Sequence, residues 1–247
     1  MREKTNGISP EMFSSLRKVV ESSEGESKTL LGRFFYDRWM TTNSDSRSYS
    51  NTFGWLLEDG HEIHPPPYRT NPLRRITEAK KVQQGEVIVL DLMGYGGVLR
   101  DLEVRGCAVA LTDRRGFITR RFDRKLGIGH IVGDIGSART WRAMENWLQS
   151  QGEGLRFDII CCHPLDGLNN VPQNKEFYAY IFKKLYSMLS NNDGYLFAQF
   201  HSSMSHFVEE FVEQMRDIEG IEVKFLINPH VFMLIKHRDS PQELIVP

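Results

Sequence analysis

The stretch Val87-Ile-Val-Leu-Asp91-Leu-Met93-Gly94-Tyr95-Gly96-Gly97-Val98 places a carboxylate at the end of an apolar run and a glycine-rich turn directly after it. Glycines let a backbone come close to a ligand. The helix that such a turn opens presents unpaired N–H groups and the positive end of its dipole. A second acid, Asp113, closes the next apolar run. It follows the first at about 20 residues, the separation at which an acid commonly accepts hydrogen bonds from ribose hydroxyls. A third, Asp134, stands between Gly133 and Ile135 after the run 130–133. Three acids ending three successive strand candidates form one constellation, and ligands of open α/β sheets bind at that edge. A nucleoside cofactor suits it. A nicotinamide dinucleotide suits it less well, because the fingerprint G-x-G-x-x-G begins at Gly94 and Gly96 but meets Leu99 at its third glycine.

These residues need a sheet to carry them. Strands are expected at 87–91, 108–112, 130–133, 157–162 and 195–200, with helices at 97–105, 115–126, 137–150 and 174–190 between them and 203–217 after the fifth. The first and fourth strands are nearly continuous apolar runs, as parallel strands covered on both faces are. Two further strands, Ile221–Ile227 and Val231–Lys236, flank Asn228-Pro229-His230, and a connection that short permits only antiparallel pairing. The fold class is therefore α/β, a Rossmann-like seven-stranded, mostly parallel sheet with an antiparallel last strand.

Ahead of it, residues 1–85 read as a helical cap, and 86–247 as the domain bearing the site. Ser9-Pro10-Glu11 starts one helix of the cap. Leu30, Leu31, Phe34, Phe35 and Arg38 recur at helical spacing in a second. His61 to Tyr68 is extended by its prolines, and Asn71-Pro72 restarts a helix through Lys81.

From about residue 85 to 237 the pattern resembles the class I S-adenosylmethionine-dependent methyltransferases: the acid and glycine turn, the acid ending the second strand, Gly-Asp after the third, and the antiparallel ending. The resemblance implies that Asp91 and the backbone of Met93, Gly94, Tyr95, Gly96 and Gly97 hold the methionine moiety. It implies that Asp113 takes the ribose hydroxyls and that Asp134 with Ile135 borders the adenine. Phe35-Tyr36-Asp37-Arg38-Trp39 is similar to a Tyr-Asp pair in N-terminal helices of small-molecule members, where Tyr36 would cap the cofactor. FDIICCHPLDGL looks like the family's fourth motif, which makes His163 and Asp166 the leading candidates for catalysis, with His201 after the fifth strand next. Two departures stand out. Met93 and Tyr95 occupy the first two glycine positions of the family turn. Of the Asn/Asp-Pro-Pro-aromatic pattern of amino-group methyltransferases acting on nucleic acid, only Pro164 matches. The function implied is methyl transfer from S-adenosylmethionine to a small molecule, with S-adenosylhomocysteine as product. The rivals are a catalytically silent scaffold with a protein partner, and an RNA or DNA methyltransferase.

Composition sets the outer bounds. The 247 residues are 40% hydrophobic and 11% aromatic, enough for a core, which excludes global disorder. No apolar run approaches the ~20 residues of a membrane span. The N-terminus MREKTNGISPEMF has no apolar stretch after its charges, so no secretory signal is expected. Cys107, Cys161 and Cys162 lack metal-ligand spacing and suit a reducing, cytoplasmic setting, with the Cys161-Cys162 pair serving as small apolar residues. His61 and His64 have no identifiable third ligand, so no metal is expected. The net charge of −1 exerts no global pull on nucleic acid. Locally, Arg114, Arg115, Arg120, Arg121, Arg124 and Lys125 crowd the stretch 114–125 with only Asp123 against them. Arg69, Arg74, Arg75, Lys80 and Lys81 form a second group, and Glu209, Glu210, Glu213 and Asp217 an acidic counterpart. Such basic clusters attract phosphates. A solvated helix face is the reading preferred here.

Overall fold

Five successive residues, Ile88–Leu92, are buried without exception, and they form an inner strand, β1, of the computed structural model. The structure describes residues 72–113, 115–162, 172, 174–200, 202–227 and 231–244. The remaining strands are β2 (Arg105–Ala110), β3 (Ile128–Val132), β4 (Ile159–Cys162), β5 (Gly194–Gln199), β6 (Ile221–Ile227) and β7 (Val231–Lys236), in the sheet order β3-β2-β1-β4-β5-β7-β6. The first five run parallel, and β7 lies antiparallel between β5 and β6. The helices are α1 (Pro72–Gln84), α2 (Gly97–Leu102), α3 (Phe117–Leu126), α4 (Ala138–Gln151), α5 (Lys175–Met188) and α6 (Ser205–Arg216). This is the expected Rossmann-like sheet.

The pleat sends alternate residues of each strand to opposite faces. Leu90 and Leu92 of β1 join Cys107, Ile160 and Cys162 in a core closed by Trp141 and Met144 of α4, Phe182 of α5 and Phe211 of α6. Val89 instead joins Ala108, Ile159 and Cys161 in a core closed by Leu73 of α1 and by Leu99 and Leu102 of α2. The two adjacent cysteines thus fill the two cores as small apolar residues, and burial pushes the Cys162 thiol up to about 12. Helix α1 packs into the same body as the sheet. Its Lys80 Nζ donates to Asn192 O at 2.9 Å, and its Lys81 Nζ donates to Leu102 O at 3.0 Å. The expected cap residues 1–71 lie outside the described residues.

Among the shifts of one to three residues at the element ends, those of α2 and β2 bear on the site. Helix α2 stops at Leu102, where Glu103 takes a left-handed φ of 51° and its N–H turns back to Arg100 O and Leu99 O. Strand β2 starts at Arg105 and ends at Ala110, earlier than the expected 108–112. Asp113 therefore stands in the loop beyond the strand, not at its last position. Gly106 makes this arrangement possible. A Cβ there would overlap the Val89 carbonyl oxygen of β1 and lie 2.8 Å from Leu99 Cδ2. The close approach that a third glycine of a dinucleotide fingerprint would provide on the helix is here provided from the strand. Gly106→Ala should cost about 1–3 kcal/mol and lower the unfolding midpoint by about 5 °C. Gly85, whose φ of 84° has open space around it, should cost only about 1 kcal/mol when changed to Ala. Thermal unfolding of the two variants side by side checks this.

Candidate functional site

Strand β1 lies between β2, which the chain reaches next, and β4, to which it returns after β3. The order reverses between β1 and β4, and an open sheet of this kind holds its ligand outside the carboxyl ends of the strands at such a point. Asp91 sits there, paired in register with Ala108 on one side and Cys161 on the other.

Asp91 is 1% exposed, and its side chain lies beneath the turn that follows it. Gly96 N donates to its Oδ2 at 2.8 Å. Its Oδ1 is buried with no hydrogen-bond partner among the described residues. Burial pushes the carboxyl pKa up to about 6, against the opposing pull of the Gly96 N–H and the Arg100 guanidinium. Gly94 has to be glycine, because a Cβ there would overlap the Asp91 carboxylate. Gly96 has a φ of 76°, and a Cβ on it would come within 3.0 Å of His130 Cε1 and 3.1 Å of Arg100 Nη1. Met93 takes the left-handed backbone of a glycine, with φ 63°. For a side-chain residue that costs about 1–2 kcal/mol, and Met93 is packed against the core on the α4–α6 face.

The positive end expected of the following helix is small, since α2 has only 6 residues. A side chain supplies charge beneath the turn instead. Arg100 is 2% exposed and donates from Nη2 to Tyr95 O at 3.0 Å and from Nη1 to Asp123 Oδ1 at 3.0 Å. Asp123 of α3 is fully buried, and its Oδ2 meets Arg115 Nη1 at 3.1 Å and His130 Nε2 at 2.9 Å. Burial pushes the Asp123 pKa up, but His130 and Arg100 outweigh it and hold the carboxyl below its ordinary range. Burial and the neighbouring arginines lower the pKa of His130.

Arg115 continues to Asp113. The Asp113 Oδ1 accepts from Arg115 N at 3.0 Å and Nε at 2.9 Å; its Oδ2 accepts from Arg115 Nη2 at 3.0 Å and lies 3.2 Å from Arg120 Nη2. Those donors occupy roughly all of the lone-pair positions of a carboxylate. The bonds and charges of Arg115 and Arg120 outweigh burial and hold the Asp113 pKa below its ordinary range. The third acid, Asp134, is exposed; its Oδ1 accepts from Gly136 N at 2.8 Å. Ile135 is buried, and its carbonyl accepts from Trp141 Nε1 at 2.7 Å.

The structure thus brings Asp91, Met93, Gly94, Tyr95, Gly96, Gly97, Asp113, Asp134 and Ile135 to one sheet edge. His163, Asp166, His201, Tyr36 and Arg114 lie outside the described residues. Arg100, Asp123 and His130 are what sequence reasoning missed. The faint signal for Arg100 was a cation inside the apolar run Val98–Leu102. Asp123 had been counted only as the one acid among surface arginines.

The fold is that of a Rossmann-like domain, with Asp91, Asp113 and Asp134 at one edge of its sheet. No family model and no curated protein matches the chain. Among solved structures, the N-terminal domain of human METTL16 is 11% identical, covering 96% of this chain and 97% of that one with a TM-score of 0.47. A methyltransferase from Pyrococcus furiosus is 15% identical over 83% and 97%, with a TM-score of 0.40. The 1,6-didemethyltoxoflavin-N1-methyltransferase of Burkholderia thailandensis, with bound 1,6-didemethyltoxoflavin and S-adenosylhomocysteine, is 16% identical over 67% and 78%, with a TM-score of 0.39. The reading of the site rests on its own geometry.

Because the folded pKa of Asp91 is raised, its ionised form costs stability at neutral pH. That cost is absent below the unfolded value near 4 and grows as the pH rises through about 6. Asp91→Asn should therefore be more stable than the parent by about 3 kcal/mol at pH 8 and level with it at pH 4. Denaturant unfolding at both pH values checks this, and a difference independent of pH would contradict a buried ionised Asp91.

Proposed function

We propose that the protein is an S-adenosylmethionine-dependent methyltransferase acting on a small-molecule acceptor, with S-adenosylhomocysteine as its product. The observation that carries this reading is Asp91 Oδ1, which has no hydrogen-bond partner among the described residues and is buried at the switch point beneath a turn that needs glycine at positions 94 and 96. A buried acceptor left unpaired costs about 1–3 kcal/mol, and such groups are retained where something other than the fold completes them. The ammonium of an amino-acid moiety would complete this one and would favour the ionised form of Asp91.

The residues present fit the cofactor. Asp91 and the backbone of 93–97 would hold its amino-acid part. Asp113 would accept from the ribose once Arg120, the outer and half-exposed of its two arginines, gives way. The exposed Asp134 and neighbouring Ile135 would border the base. When bound, the cofactor supplies a methyl group on a positively charged sulfur. The protein's part is to align the acceptor with it and exclude water. Where the acceptor must lose a proton, His163 and Asp166 directly after β4, or His201 after β5, would take it. Tyr36 and the part of the expected cap ahead of α1 would close over the pocket, and the setting would be cytoplasmic.

A small acceptor is favoured over nucleic acid by the use made of the basic cluster. Arg115 and Arg120 turn onto Asp113 and Asp123, leaving Arg121, Arg124 and Lys125 as the other exposed cations of α3. A phosphate-binding face would present them outward.

Calorimetric titration with S-adenosylmethionine and S-adenosylhomocysteine tests the reading. Saturable binding of both is expected, weakened at least about tenfold by Asp91→Asn through loss of a charged hydrogen bond. Arg120→Ala should tighten binding by about two- to fivefold, because it removes a competitor for Asp113. A folded sample that binds neither ligand would overturn the assignment.

A further inference from the structure

The two walls of this site, the glycine turn after β1 and the loop after β2 carrying Asp113, are joined by side chains that the methyl-donor reading does not use. From Tyr95 O the path runs to Arg100, then to Asp123, to Arg115 and to Asp113, through separations of 3.0, 3.0, 3.1 and 2.9 Å. His130 of β3 abuts the same Asp123 carboxylate at 2.9 Å. The side chains of Arg100 and Asp123 are each 1% exposed.

A buried ion pair is weak evidence for stability, since apolar residues of the same volume do as well or better. Apolar residues could not, however, bond a loop carbonyl at one end and an arginine at the other. The planar guanidinium has donors on separate arms, so Arg100 reaches Tyr95 and Asp123 at once, which a lysine ammonium cannot do in the same fixed geometry. The bare α-carbon of Gly96 leaves room for this assembly, because a Cβ would crowd both Arg100 and His130. Gly96 therefore answers to the network below it as well as to its own positive φ.

We propose that Arg100 and Asp123 are positioning residues that hold the glycine turn and the Asp113 loop as one unit, so that the two halves of a nucleoside cofactor meet prearranged walls. The inference rests on the methyl-donor reading of this edge. It makes a demand that local contact alone does not: the Arg100–Asp123 pair reaches Asp113 only through Arg115, yet its joint loss must be felt by a ligand that reaches only Asp113 and the exposed Asp134.

Adenosine is such a ligand, and S-adenosylhomocysteine spans both walls. The test is calorimetric titration of both into the full chain, with circular dichroism and thermal unfolding to verify the fold. The double variant Arg100→Met/Asp123→Asn removes both buried charges together and leaves neither uncompensated. It is expected to bind adenosine at least about fivefold more weakly than the parent. Arg100→Lys keeps a cation opposite Asp123 but loses the second arm. It should bind adenosine within about twofold of the parent and S-adenosylhomocysteine at least about fivefold more weakly. A folded double variant with unchanged adenosine affinity overturns the proposal, as does an Arg100→Lys variant that loses affinity for both ligands equally. Parent protein that binds neither nucleoside sinks the methyl-donor reading and this inference with it. Parent binding that no variant alters removes the network alone.

Discussion

A carboxylate placed inside a protein without a full set of donors constrains everything near it, and Asp91 does so here. The pleat of β1 turns it to the α2 side of the sheet, and its depth leaves it 1% exposed. The turn above must then pass close enough for Gly96 N–H to reach one oxygen, which excludes a Cβ at Gly94 and sets the positive φ at Gly96. Burial pushes the acid toward its neutral form. One backbone donor and the nearby Arg100 guanidinium oppose that shift without abolishing it. What remains is an Oδ1 without a partner among the described residues, and it lies at the place where the strand order reverses.

The sheet makes this tolerable. Leu90 and Leu92 on one side of Asp91, and Val89 on its own side, are completely removed from water and anchor β1 between two cores. The first core is aromatic and large, with Phe182 in ring contact with Phe207, Phe211 and Phe232. The second is thinner and built on aliphatic side chains of α1 and α2. The charged network lies beyond its edge, where Gly106 lets α2 and β2 close on β1 and brings Arg100 under the turn. Packing and electrostatics are thus coupled. The helix that supplies Leu99 and Leu102 to the core also supplies the guanidinium that supports the loop.

The basic cluster shows how far a charge count departs from a surface. Six cations against one acid read as a solvated face or a phosphate contact, yet that acid, Asp123, is buried and gathers Arg100, Arg115 and His130 around it. Arg115 then satisfies Asp113 as well, using the fork geometry of its guanidinium.

Much of this architecture was legible from residue order alone. Continuous apolar runs identified the covered parallel strands, the short link at 228–230 required the antiparallel pair, and an acid beside glycines marked the ligand edge. These are local properties: the pleat period, chain reach and the steric freedom of glycine act on neighbours in the chain. The ends of α2 and β2 were not legible, because they depend on how closely Gly106 approaches Val89 across the sheet. Nor was the condition of the acids. Whether Asp113 stands open or held, whether Asp91 keeps an empty acceptor, and whether Asp123 faces water or an arginine are decided by side chains from four different elements. A carboxylate takes its pKa and its partners from what surrounds it in space, and only the tertiary structure assembles those surroundings.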